Sequence, residues 1–109
     1  MKLIIAIVND EDVHHLIEDL TKSKFMVTKL ATTGGFLKSG NTTLLIGVDD
    51  EKVDQVIGII KDNCETRKQT ITSTTPISGA AGVFIPYPVE VRVGGATIFV
   101  VDIEKHVKL

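Results

Sequence analysis

Twice in its first 64 residues this chain passes from a short apolar run into helically spaced apolar residues. The first run is Leu3, Ile4, Ile5, Ala6, Ile7 and Val8, rich in β-branched side chains. Such a run suits a central strand covered on at least one face. Asn9, Asp10, Glu11 and Asp12 follow. They supply an N-cap and acids for a first helical turn, where they favour the positive end of the helix dipole. Val13, Leu16, Ile17 and Leu20 then fall at i, i+3, i+4 and i+7, one face of a helix that should end near residues 21–23. The second passage repeats the pattern. Leu44, Leu45 and Ile46 predict a strand over about residues 42–48. Asp49, Asp50 and Glu51 form another acidic start, and Val53, Val56, Ile57 and Ile60 repeat the helical spacing. That helix should fade near 61–63, with Gly58 a mild interior weakness. Between the two passages a further strand is expected from Phe25 to about residue 33.

From 64 to 88 the character changes. Ile71 stands among Thr70, Thr72, Ser73, Thr74 and Thr75, and Pro76, Gly79, Gly82, Pro86 and Pro88 punctuate the rest. The composition predicts a long loop, and connections of this length are usually functional or disordered. Val89, Val91 and Val93 alternate with Glu90 and Arg92, Gly94 and Gly95 make a turn pair, and Thr97 to Val101 make a last strand. The order predicts one α+β domain over residues 1–109. Its architecture is a ferredoxin-like βαββαβ split βαβ fold, with the 97–101 strand as an extra C-terminal one. Two helices cover one sheet face. The other face also carries apolar residues, and self-association into a homo-oligomer is its simplest cover.

The chemistry-bearing residues are sparse. A net charge of -2 argues against a general binder of nucleic-acid polymers. One cysteine, Cys64, forbids an internal disulfide and suits a reducing cytoplasm. The opening apolar run is far short of the roughly 20 residues that span a membrane, so no membrane role is expected. His14 and His15 are helix neighbours whose side chains diverge, and His106 lies in a polar tail. No metal-binding spacing is present. Cys64 has no adjacent histidine and reads as packed. The acids are explained as helix starts. No nucleophile–base arrangement stands out, so no enzyme is expected.

The stretch 28–43, TKLATTGGFLKSGNTT, is different. It carries Gly34, Gly35, Gly40 and Asn41 around Phe36 and Leu37, without the following lysine–hydroxyl pair of a Walker loop. Between Leu20 and Val48 there is no Asp or Glu, whereas Lys22, Lys24, Lys29 and Lys38 all fall inside. This basic window favours an anion, with glycine N–H groups and threonine hydroxyls as phosphate donors. Phe36 offers a face for a base, and Asn41 offers both donors and an acceptor. An ordinary hairpin with solvated lysines, its Phe36 packed on a neighbouring subunit, accounts for the same residues. The residue chemistry leaves both readings open.

The motif KLATTGGFLKSGNTT over 29–43 closely resembles the signature of the PII-like cyclic di-AMP receptor family (PstA/DarA type). The opening KLIIAIV, the TTP at 74–76, the IPYPVEVRVGGATIFV of 85–100 and the total length resemble it too. The resemblance implies a homotrimer of ferredoxin-like subunits, with a short loop between the second and third strands and an enlarged loop after the second helix. It implies one cyclic di-AMP in each cleft between subunits, no cofactor, and an unidentified protein partner that reads the ligand state. Thr28, Gly35, Phe36, Leu37, Asn41 and Gly47 match cleft-lining positions, with Phe99 from the last strand nearby. Family members commonly carry asparagine and arginine where this chain has Lys24 and Met26. Lys24 would then supply a point charge and Met26 an apolar wall. The tail, with Lys108, lacks the family's usual glutamine. Rival expectations are a PII-type sensor of ATP or ADP, a trimeric metal-tolerance protein of the same fold, and a small enzyme.

Overall fold

The computed structural model describes residues 1–30, 40–76 and 84–109, with backbone alone for 71–76 and 84–87. In chain order the elements are β1 (Lys2–Asn9), α1 (Asp10–Lys22), β2 (Val27–Leu30) and β3 (Asn41–Val48). A 3-10 turn (Asp50–Lys52) leads into α2 (Val53–Cys64), followed by β4 (Arg67–Pro76), β5 (Phe84–Val93) and β6 (Ala96–Asp102). Four strands form one sheet in the order β2-β3-β1-β6. All neighbours in it are antiparallel. β1, α1 and β2 make a βαβ unit with β3 inserted between its strands, the split arrangement the sequence predicts.

Alternation along the strands decides which side is core. Ile4, Ala6 and Val8 of β1 and Leu44, Ile46 and Val48 of β3 are buried beneath the helices. They meet Val13, Leu16 and Leu20 of α1 and Val56, Ile60 and Cys64 of α2. Helical spacing supplied those residues, so sheet and helices share one dry layer. The intervening residues Leu3, Ile5 and Ile7, with Leu45, face away from it and are only half-buried.

At the far end of β1, Asp10 ties the strand–helix junction. Its N–H donates to the Gly40 carbonyl at 2.7 Å, and its carboxylate accepts from the hydroxyl of the buried Thr42. Asn9 occupies the N-cap position of α1 without a side-chain capping bond.

Three expectations need correction. The fourth strand of the sheet is β6, not the 89–93 strand. β6 pairs with β1 from Lys2↔Asp102 to Val8↔Ala96, and its Ile98 packs against the core. The 64–88 segment is not one long loop, because β4 and part of β5 lie within it and pair over ten residues, from Arg67↔Val93 to Pro76↔Phe84. Threonine and isoleucine favour extended backbone. Pro86 and Pro88, two apart, share one phase of the ladder, and an open ribbon edge tolerates their missing N–H groups. Finally, Gly94 and Gly95 do not join β5 to β6 as a hairpin. With φ of 81° and 91°, they redirect the chain from the ribbon into the sheet.

The base of the β4–β5 ribbon is fastened to the body. The Arg67 guanidinium lies 2.8 Å from the carboxylate of Asp12, a nearly buried residue of α1. Gly95 N–H donates to the Cys64 carbonyl. Beyond that base the ribbon stands off the body. The radius of gyration is 18.8 Å, against roughly 13 Å for a compact chain of this length.

Candidate ligand site

Strand direction decides which residues can meet. β1 runs up and α1 returns down. β3 also runs down, and β6 is antiparallel to β1. The end of α1, the start of α2 and the tail after β6 therefore converge at one end of the sheet. A pocket of ≈ 720 Å³ lies there, a size suited to a nucleotide-sized ligand.

Its apolar lining includes Leu3, Leu45, Phe25 and Met26. Met26 is 77% exposed and leaves a soft hydrophobic surface open to solvent. Gly47 removes bulk from the wall; a Cβ there would lie 3.9 Å from the Met1 methyl. Thr28, the register partner of Leu45, contributes a hydroxyl. Lys24, Lys52, His106 and Lys108 also line the pocket, with Asp49 the one carboxylate among the lining residues.

Lys24 is held there by the way α1 ends. Its N–H donates to the Thr21 carbonyl, and Phe25 N–H donates to the Leu20 carbonyl, both at 2.9 Å. This is a Schellman stop, reinforced by burial of Phe25 and Leu20. Its left-handed position is normally glycine. Here it is Lys24, at φ 66°, the one non-glycine residue with positive φ among the described residues. A side chain in this region costs about 1–2 kcal/mol.

The expected site residues divide into groups. Lys24, Thr28 and Gly47 come together in the pocket. Asn41 lies at the other end of β3, paired with Asn9, six residues or about 20 Å from Gly47. Phe99 pairs with Ile5 on the same open face. The row Thr28, Leu45, Ile5, Phe99 crosses four strands, so Phe99 is about 14 Å from Thr28. Gly35, Phe36 and Leu37 lie outside the described residues. Lys52 and His106 were missed by sequence reasoning. Neither belongs to the glycine-rich motif, and only the strand directions bring them to Lys24.

Other candidate chemistry is weak. Cys64 is fully buried, and burial, helped by the Asp12 charge, pushes its thiol up to about 11. A thiol held protonated in this way is a packing group. His14 and His15 do not diverge as expected: their ring centroids are 5.8 Å apart and steeply inclined, an edge-to-face contact. His14 faces Glu18 at 3.8 Å. Among the described residues no three His, Cys, Asp or Glu side chains are grouped to hold a metal ion. No described helix is long and apolar enough to cross a membrane.

A split βαβ sheet with two helices on one face and an open apolar face on the other defines a ferredoxin-like α+β protein. The chain is similar to the nitrogen fixation nifHD region GlnB-like protein 1 of Methanothermococcus thermolithotrophicus. It is 35% identical over 79 residues, covering 61% of this chain and 75% of that protein. It also resembles a functionally unknown protein from Pediococcus pentosaceus seen in a crystal structure. That likeness has a TM-score of 0.78 and 41% identity, covering 99% of this chain and 96% of the other. Residues 1–109 match the cyclic-di-AMP receptor family, and the chain belongs to that family.

Proposed function

We propose that this protein is a non-enzymatic cytoplasmic receptor that binds cyclic di-AMP between subunits of a homotrimer. The observation that carries the reading is the pocket beside Lys24, Thr28 and Gly47, lined by apolar side chains together with three lysines, in a chain of the cyclic-di-AMP receptor family. Adenine suits the apolar surface, and a phosphodiester suits the lysines. Asn41 and Phe99 share the open sheet face with this pocket but stand away from it. A neighbouring copy that laid its own Asn41, Phe99 and glycine-rich stretch against the pocket would complete a two-sided cleft. Gly35 and Leu37 would line it, Phe36 would stack on a base, and Asn41 would hold a base edge.

The receptor needs no cofactor. Its partner would be a protein that reads the β4–β5 ribbon, whose position or order changes with the ligand. The GlnB-like relative favours one alternative, a PII-like sensor of ATP or ADP. Calorimetry with cyclic di-AMP, ATP and cyclic di-GMP separates the two. Cyclic di-AMP should bind far more tightly than the others, and Phe36→Ala should weaken it by roughly 1–3 kcal/mol. Preference for ATP would transfer the pocket to the alternative.

A further inference from the structure

The pocket holds more positive charge than its walls neutralise. Lys24, Lys52 and Lys108 face one carboxylate, Asp49, with His106 beside them. Nearby cations are already paired: Lys2 with Asp102 and Lys22 with Glu18. Among the described residues the three pocket lysines make no ion pair. Lys52 is carried by a fixed turn of backbone, and the tail bearing His106 is anchored three residues before it. The N–H of Lys52 donates to the Asp49 carbonyl at 2.9 Å, closing the turn before α2. The segment bearing His106 is tied to β1 through Ile103 N–H, which donates to the Met1 carbonyl at 3.1 Å. Like charges drawn to one apolar concavity repel unless an anion joins them.

We infer that Lys52 and His106 are ligand-contacting residues that, with Lys24, grip a phosphate in this pocket. Lys52 supplies a point charge and rotatable N–H donors, and the imidazole supplies a further N–H. The inference deepens the receptor reading and rests on it for the identity of the ligand. The shared chemistry is a phosphate ester. A cyclic dinucleotide and a nucleoside triphosphate both carry it.

Calorimetry of the full-length chain at two salt concentrations tests it. Lys52→Gln should weaken cyclic di-AMP binding about ten- to a hundredfold and flatten its salt dependence, while Lys52→Arg retains binding. His106→Ala should weaken it severalfold, and His106→Gln should recover part of the loss. Lys61→Gln, on α2 away from this pocket, is the control and should change nothing. If the wild type binds and neither Lys52→Gln nor His106→Ala alters affinity or salt dependence, the inference is overturned and the receptor reading stands. If the wild type ignores cyclic di-AMP, the receptor reading fails, and ATP becomes the probe. ATP binding weakened by Lys52→Gln supports the phosphate grip; ATP binding unaffected by it, or absent, overturns the grip as well.

Discussion

Lys24 occupies a backbone position made for glycine, and the same side chain lines the pocket. The Schellman stop would close as well, or better, with glycine. The lysine therefore marks a place where a local rule is broken beside the candidate site, as strained positions often are. Lys24→Gly should raise stability by about 1 kcal/mol, a rise of several degrees in Tm for a chain of this size, while weakening ligand binding. Thermal unfolding and calorimetry on one sample read both effects. A fall in Tm would contradict the strain, and unchanged affinity would remove Lys24 from the site. The lysine itself was legible in the sequence as part of the acid-free window. Its left-handed backbone was not, because the Leu20–Phe25 contact that imposes it belongs to packing.

The helices are the elements most legible in the sequence. Val13, Leu16 and Leu20 and, in α2, Val56 and Ile60 repeat at helical spacing and are all buried. Strand partnership was harder to read. Residues 89–93 and 97–101 both favour extended backbone, and nothing local says which of them reaches the edge of β1. Ile98 settles it by packing against the core. The Thr-rich β4 has little alternation of its own and shows itself only through its pairing with β5. The ribbon base depends on Gly94. A Cβ there would lie 2.5 Å from an Arg67 guanidinium nitrogen and 2.9 Å from the Glu65 carbonyl, at a φ of 81°. Gly94→Ala should displace Arg67 from Asp12 and loosen the ribbon. Limited proteolysis should then cut faster within residues 67–93 while the sheet stays folded. An unchanged digestion pattern would show that the base does not hold the ribbon.

At the scale of the whole molecule, the open face is the unfinished part. Phe99 is 52% exposed, and Val101, Leu30 and Met26 also stand in solvent. In the proposed trimer this exposed apolar face is the subunit interface. Light scattering should report a trimer, and Phe99→Asp should shift it towards smaller species, because a charge buried in an apolar interface without a partner is costly. A monomeric wild type would contradict the assembly. The candidate site was half legible for the same reason. Thr28 and Gly47 line the pocket, whereas Asn41 and Phe99 lie on other parts of the same face. In the proposed trimer a second subunit would bring such groups together, and one sequence does not specify that geometry. The decisive measurement is calorimetric titration of the full-length chain with cyclic di-AMP, read for stoichiometry beside the mass of the complex. The account predicts saturable binding of one cyclic di-AMP per chain and three per assembled particle; no binding, or binding to a monomer, would contradict it.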